Sequence, residues 1–206
     1  MDDAFLIPNA SFSIPDVPEM RVFIAADLPG AVRESIAAEQ RRIAASIGHG
    51  GSSLRWVKPE HAHLTLVFIG DVEDARVPAV IDAIGGEIDM PAFDVVFQGA
   101  GVFPPRGAPR VLWIGVEAGA RELIALQQTL ASRVMSLGLP LDDRAFHPHL
   151  TLARWRESRP SDRGRALDAA PRGVVGRARV EGATLYQSRL SPSGPTYTPL
   201  ARATLT

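Results

Sequence analysis

"HAHLTL", residues 61–66, decides the fold of this chain, because it returns almost unchanged as "HPHLTL" at residues 147–152. The two copies differ at one letter and together hold four of the five histidines in the sequence. A hexapeptide is far shorter than the unit of a repeat protein, so the repetition does not predict a solenoid. It indicates instead that two separate parts of the chain build the same small surface.

The letters of both copies are typical of a β-strand, in which alternate side chains point to opposite faces. In the first copy His63 and Thr65 share one face, and the two leucines share the other. In the second copy His149 and Thr151 are related in the same way. Each strand is therefore predicted to bury its leucines against its helix and to present a histidine and a threonine on the opposite surface.

A helix is predicted before each copy. Apolar residues recur at helical spacing over residues 30–47 and again over residues 121–137, and a glycine follows each run. A glycine-rich loop is expected at residues 48–51, a weaker helix at residues 73–85, and a loop or short helix at residues 155–172. Strands are predicted within residues 22–26, 54–72, 93–103, 110–116, 147–152, 173–190 and 196–205. The repeated order predicts an α+β fold, with a bilobal pseudo-two-fold arrangement of two mainly antiparallel sheets flanked by helices and a central cleft.

The length of 206 residues and the 46% of apolar residues are enough for a sizeable core. Residues 1–19 hold three prolines and no periodicity, so we expect an N-terminal extension there and a single bilobal domain over residues 20–206. No apolar run approaches the ~20 residues of a membrane helix, and the acidic start is unlike a secretory signal. The chain has no cysteine, which excludes disulfides and a cysteine nucleophile and is consistent with a cytoplasmic location. We expect a monomer.

Two histidines facing each other across a cleft are suited to proton transfer. Imidazole has an ordinary pKa of about 6.5, so it serves as acid or base near neutral pH. Each threonine hydroxyl, two positions on, can hold an anionic oxygen. A single H-x-T on a strand is more often a surface histidine without a function, but two copies in matching contexts favour a phosphate-handling site.

The alternative is a metal site, because each hexapeptide is also an H-x-H pair of the kind that binds zinc. Carboxylates lie near the pairs only at Glu60, Asp142 and Asp143. Pro59 and Pro148 further indicate that the first histidine of each pair lies at a strand entrance. We predict that the site uses no metal and no cofactor.

Arginine accounts for 21 of the 22 basic residues, and eight of the arginines lie between Arg154 and Arg179 with three acidic residues. Two interpretations of this basic segment are open. One is a solvated loop, and the other is a phosphate-facing rim, since guanidinium groups match phosphate oxygens bidentately.

The two H-x-T motifs and their flanks resemble the two-histidine phosphoesterase superfamily. Within it, the chain is similar to the RNA 2′,3′-cyclic phosphodiesterases once named 2′-5′ RNA ligases, the ThpR/LigT family. The resemblance covers about Met20 to Leu205 and rests on five blocks in order: "MRVFIAADLP", "RWVKPEHAHLTLVFIGDV", "FPPRGAPRVLWIGV", "FHPHLTLAR" and "LYQSRLSPSGPTYTPLA".

This resemblance implies metal-independent hydrolysis of a terminal 2′,3′-cyclic phosphate to a 2′-phosphate, with RNA ends or cyclic nucleotides as partners. It implies His63 and His149 as catalytic residues and Thr65, Thr151 and Arg154 as substrate-binding residues. We assign His149 as the base and His63 as the acid, although the near-symmetry of the motifs fits either order, and the reverse order describes ligation. A 2′-5′ phosphodiesterase, a small cyclic-nucleotide phosphodiesterase and a non-catalytic RNA-end-binding protein remain alternatives.

The alternation of faces along a β-strand argues against a substrate-binding role for one of these residues, Arg154. Arg154 stands five positions after His149, so an unbroken strand would point the two side chains to opposite faces. Arg154 reaches a phosphate only if the strand bends or ends near Ala153. Phe68 holds the same place after His63, and a core position is predicted for it.

Five further residues have predicted roles away from the chemistry. Trp56, Tyr186 and Tyr197 are expected in the core rather than stacked on a base. His61 and His147 are expected to have structural or orienting roles.

Overall fold

The computed structural model describes residues 18–47, 53–192 and 194–206. The glycine-rich loop predicted at residues 48–51 and most of the predicted extension over residues 1–19 lie outside these ranges. Glu19, the last residue of that predicted extension, is already the first residue of a strand. Buried side chains from the described residues form one continuous hydrophobic cluster.

Ten strands and four α-helices make up the described part of the chain. In chain order the elements are β1 (Glu19–Ala26), α1 (Gly30–Ile47), β2 (Leu54–Trp56), β3 (Leu64–Glu73), α2 (Val77–Ile84), β4 (Gly86–Ile88), β5 (Phe93–Phe103), β6 (Val111–Ala118), α3 (Ala120–Met135), β7 (His149–Trp155), α4 (Pro160–Ala169), β8 (Val174–Val180), β9 (Gly182–Ser191) and β10 (Gly194–Leu205).

The strands form two five-stranded sheets. The first sheet has the order β3-β1-β9-β10-β4, and the second has the order β2-β7-β6-β5-β8. Without β4 and β2 the two orders match strand for strand, and every pair in the shared part is antiparallel. Only the short β4 pairs in parallel, with β10, among the described strands. The predicted α+β class with two mainly antiparallel sheets is confirmed.

The two lobes are not consecutive halves of the chain, and their helices are exchanged. Helix α1 precedes the first motif but packs against β8 of the second sheet, whereas α3 precedes the second motif and packs against β3 of the first. The expectation that each motif strand packs on its own helix is therefore wrong. Apolar periodicity shows that a helix has a buried face, but not which sheet covers that face.

Smaller differences follow from local sequence. The helix predicted at residues 73–85 begins at Val77, with Pro78 in the first turn, where a missing N–H breaks no hydrogen bond. Residues 155–172 contain α4, and β4 was missed because three residues carry too little pattern. Across the described ranges, no helix has the length and apolar character needed to cross a membrane.

Candidate active site

Strand β3 of the first sheet and strand β7 of the second, which hold most of the two motifs, lie in contact with each other. The leucines of both motifs are fully buried in the core. By contrast His63, Thr65, His149 and Thr151 are all half-buried. The predicted division of each strand into an apolar and a polar face is confirmed.

Both second histidines are held in the same way by the backbone. The Nδ1 atom of His63 lies 2.7 Å from the carbonyl oxygen of His61, and Nδ1 of His149 lies 2.7 Å from that of His147. A carbonyl oxygen only accepts hydrogen bonds, so Nδ1 must carry the proton and donate it. Nε2 of each neutral ring is then left as an unprotonated nitrogen that can take up a proton.

The first histidines supply these carbonyl groups from the strand entrances. His61 ends a 3₁₀ turn that starts at Pro59, and His147 lies two residues before His149, the first residue of β7. Both positions agree with the entrances predicted from the prolines. The described residues contain no group of three or more His, Cys, Asp or Glu side chains arranged to hold a metal ion.

Aromatic rings bury both histidines. The His63 ring lies 4.8 Å from the Phe23 ring and 5.3 Å from the Tyr197 ring, measured between centroids. The corresponding neighbours of His149 are Phe103, at 5.1 Å, and Trp113, at 6.1 Å. Burial is the main cause that lowers the pKa of each histidine below its ordinary value, since it disfavours the charged imidazolium. Burial thus favours the neutral form of both rings.

Each motif strand contains a β-bulge directly after its threonine. In the pairing of β3 with β1, Thr65 lies opposite Ala25, and Val67 lies opposite the next residue, Ile24, so that Leu66 is skipped. In the pairing of β7 with β6, the register likewise passes over Leu152. One extra residue reverses the alternation of faces beyond that point. The side chain five positions after each histidine is thereby turned onto the histidine face.

The bulge removes the parity objection to Arg154. Leu152 and Ala153 are both buried, and Arg154 emerges exposed on the face of Thr151. Its positive charge contributes to lowering the pKa of His149 and also that of His63. One guanidinium thus acts on both motif histidines, and the bend that the sequence required near Ala153 is present.

The corresponding β-bulge in β3 makes the predicted core position of Phe68 wrong. Its side chain is 51% exposed instead of lying in the core, and the guanidinium of Arg21 lies 5.1 Å from the ring centroid. The physical reason is the bulge at Leu66, which moves Phe68 to the polar face of β3. A strict alternation of two residues cannot reveal such an insertion.

Asp27 is a site residue that the sequence reasoning missed. It directly follows β1 and accepts hydrogen bonds from Thr184 Oγ1, at 2.8 Å, from the Tyr186 hydroxyl, and from Arg202, at 3.2 Å. Its charge raises the pKa of His63 and so partly offsets the effect of burial. Among the described groups that shift the pKa of His149, there is no carboxylate. The only sequence signal was its position within the block "AADLP".

The predicted core aromatics divide into two groups. Trp56 packs against the hydrophobic core as expected. Tyr197 instead lies beside the site, with its ring 5.2 Å from that of His61. Tyr186 is half-buried, and burial, followed by its hydrogen bond to Asp27, raises its pKa to about 12.

The basic segment is neither wholly a solvated loop nor wholly a phosphate rim. Arg163 donates to the carbonyl oxygens of Pro104 and Gly107, and Arg179 pairs with Asp94. These arginines hold loops and strands together. Arg154 is the member of the segment whose charge reaches the histidines.

Comparison with known proteins assigns the family. A sequence profile of the 2′-5′ RNA ligase superfamily matches residues 31–189. An Escherichia coli protein named RNA 2′,3′-cyclic phosphodiesterase is 33% identical over 186 residues, which are 90% of this chain and 97% of that protein. A protein of the same name from Archaeoglobus fulgidus is 32% identical over 180 residues, covering 86% and 96% of the two chains.

Solved structures show the same fold. A Thermus thermophilus protein matches with a TM-score of 0.73 and 30% identity, over 89% of this chain and 96% of that one. Escherichia coli LigT in complex with 3′-AMP matches with a TM-score of 0.70 and 30% identity, over 92% and 99% of the chains. The chain therefore belongs to the 2′-5′ RNA ligase superfamily, among enzymes named RNA 2′,3′-cyclic phosphodiesterase.

Proposed function

We propose that the protein hydrolyses terminal 2′,3′-cyclic phosphates of RNA to 2′-phosphates by acid and base catalysis at His63 and His149, without a metal ion. The observation that carries the proposal is the pair of histidines in one tautomer, on two strands in contact, under the charge of one arginine. The names of the relatives support the reaction. Solved complexes of LigT with 3′-AMP and with phosphate support a nucleotide phosphate as the ligand.

The reaction follows from the free Nε2 atoms. Water attacks the phosphorus in line with the bond to the 3′ oxygen, and Nε2 of His149 accepts the proton that the water loses. As the bond between phosphorus and the 3′ oxygen breaks, that oxygen takes a proton from Nε2 of His63. The products are a 2′-phosphate and a 3′-hydroxyl, and the two histidines have exchanged protonation states. With a ribose 5′-hydroxyl in place of water as the nucleophile, the same steps form a 2′-5′ linkage and again release the 3′ oxygen as a hydroxyl.

The non-bridging oxygens need positive partners as charge builds on phosphorus. The hydroxyl groups of Thr65 and Thr151 lie on the histidine face of their strands and can donate to these oxygens. Arg154 adds the guanidinium that the bulge turns toward the same face. Such charge-assisted hydrogen bonds are about twice as strong as neutral ones.

Asp27 favours the assignment of His63 as the acid. A general acid must start protonated, and a nearby carboxylate stabilises the imidazolium. Burial and Arg154 lower the pKa of both histidines, and of the two only His63 has a carboxylate, Asp27, among the described groups that shift its pKa, and that carboxylate raises it. The environment with the carboxylate therefore suits the acid, and the one without it suits the base. The cytoplasmic location and the monomeric state remain predictions.

The test is turnover of a nucleoside 2′,3′-cyclic phosphate in the presence of EDTA by the wild type, His63→Ala and His149→Ala. We expect full activity in the chelator and a loss of at least ~10²-fold in each variant, the low end for removal of a general acid or base. His147→Ala is the matched control, because its backbone carbonyl still orients His149, and it should retain most of the activity.

Other results would redirect the proposal. A loss below tenfold in both variants removes the acid and base roles. Binding of the nucleotide without turnover by the wild type supports a non-catalytic RNA-end-binding protein. Faster cleavage of a 2′-5′ linkage or of a small cyclic nucleotide than of an RNA end supports the narrower phosphodiesterase alternatives.

A further inference from the structure

A second arginine lies directly beside Arg154 on the polar face of the second sheet. The short strand β2 pairs with β7 in antiparallel register, and this pairing sets Arg55 opposite Arg154. Directly opposite residues project to the same face of a sheet. Leu54 and Trp56, on either side of Arg55, pack against the core, which leaves the Arg55 side chain exposed. Both guanidinium groups therefore lie on the face that carries His149.

Two like charges directly opposite each other destabilise a strand pair. Neither Arg55 nor Arg154 forms an ion pair with a residue in the described part of the chain. Paired α-carbons across a sheet are only about 4.5–5.5 Å apart, so both guanidinium groups can reach one region of solvent. An anion bound there would relieve the repulsion.

The face that carries Arg55 and Arg154 has a further exposed arginine beyond the end of β7. The backbone N–H of Arg156 donates to the carbonyl oxygen of Ser53 at 3.0 Å, so the pairing of the two strands extends one residue past Trp155. Arg156 is exposed and shares the parity of Arg154. Positive charge thus leads from the motif histidines along β7 and across to the sheet edge at β2.

We infer that Arg55, beside Arg154, binds the phosphodiester on the 5′ oxygen of the terminal nucleotide, so that the site takes polynucleotide ends rather than mononucleotides. This inference rests on the proposed function. When the cyclic phosphate occupies the histidines, the next phosphate of an RNA chain lies one ribose away. Arg55 is one strand farther from the histidines than Arg154 is. Guanidinium groups suit this ligand because they bind phosphate oxygens bidentately.

The test compares two substrates with the variant Arg55→Gln. A nucleoside 2′,3′-cyclic phosphate has no 5′ phosphate, whereas a dinucleotide ending in a 2′,3′-cyclic phosphate has one. We expect kcat/KM to fall about tenfold for the dinucleotide, as for one lost charge-assisted contact, and to stay unchanged for the mononucleotide. Arg55→Lys should recover part of the loss. Arg121→Gln, an exposed arginine on α3, is the matched control and should change neither substrate.

A salt series gives a second measurement. The slope of log kcat/KM for the dinucleotide against log salt should become shallower by about 0.7 in Arg55→Gln, the value for one phosphate contact to a single strand. Equal effects on both substrates, or no effect on either, would overturn the inference while leaving the proposed function intact. Wild-type protein that hydrolyses neither substrate would overturn both.

Discussion

The two lobes have the same strand arrangement but present different side chains at the site. Both motif strands carry a histidine, a threonine and then a bulge that turns the fifth residue after the histidine onto the same face. That residue is Phe68 in the first lobe and Arg154 in the second. A symmetric frame therefore places one cation where two histidines can share it. Two copies of the cation would repel each other.

The residues that lie opposite the two motif threonines differ between the lobes. Opposite Thr65 the first lobe has Ala25, which is paired on its other side with Thr184. Opposite Thr151 the second lobe has Trp113, whose other neighbour in the sheet is Gly101. The first lobe thus has space for the Asp27 carboxylate and its hydrogen bonds. The second lobe fills the equivalent space with an indole ring, so each histidine acquires its own environment.

The largest effect on this comparison is expected at the fifth position. Arg154→Ala should reduce kcat/KM for the cyclic phosphate by about tenfold to a hundredfold, because a charge-assisted hydrogen bond contributes about 1.5–3 kcal/mol. Phe68→Ala is the matched variant in the other lobe. As an exposed substitution it should change the rate by about twofold or less. Similar losses in both variants would show that the lobes contribute alike, against the asymmetry described here.

A smaller effect is expected from Gly101→Ala, which tests the packing of the Trp113 ring in the second lobe. A Cβ at Gly101 would lie 2.1 Å from an atom of the Trp113 ring, so the indole, which lies beside His149, must shift. We expect a loss of about 2 kcal/mol in unfolding free energy, within the range for overpacking. In Gly164→Ala on α4, where no atom lies within 4 Å, the same change should stabilise slightly. Equal urea midpoints for the two variants would contradict the packing.

Gln40→Leu tests what supports the second bulge. The buried Gln40 amide donates to the carbonyl oxygens of Val57, at 2.7 Å, and Leu152, at 3.0 Å, the latter at the bulge itself. Loss of these hydrogen bonds should lower the free energy of unfolding by about 1.5 kcal/mol. It should also lower the rate, because Arg154 would be held less rigidly. Gln128→Leu, exposed on α3, is the control and should change stability by about 0.5 kcal/mol or less. An unaltered rate in Gln40→Leu would separate the bulge from the function of Arg154.

The smallest effect is expected from Asp27→Asn, which tests the acid and base assignment. Asp27 raises the pKa of His63, so removing its charge should lower that pKa further and leave less imidazolium at neutral pH. The fall of kcat/KM on the alkaline side should then move to lower pH. An NMR titration of the histidine rings should show the change at His63 and not at His149. Asp94→Asn, on the exposed pair with Arg179, is the control. A larger shift at His149 would exchange the two roles.

Much of this architecture was predictable because the repeated hexapeptide carries two signals together. Alternation in "HLTL" predicts which side chains are buried, and the preceding apolar periodicities predict α1 and α3. The central prediction, that Thr65 and Thr151 accompany their histidines on one face, required only the strand period of two residues. These are local properties, and local sequence determines them.

The remaining features depend on contacts between distant segments. A bulge is set by the register against a partner strand, so neither Phe68 nor Arg154 could be placed from its own strand alone. The exchange of helices between the sheets is likewise a tertiary choice. Asp27 is remote in sequence from Thr184, Tyr186 and His63, and only the fold brings the four together.

The most direct test of the shared site is a crystal structure of the protein with a nucleoside 2′-phosphate, the product of the proposed reaction. We predict that Nε2 of His63 and Nε2 of His149 each lie about 3 Å from an oxygen atom of the same phosphate group or from the ribose oxygen beside it. The guanidinium of Arg154 should contact that same phosphate. A phosphate bound to only one histidine, with the other ring turned away from it, would contradict the account.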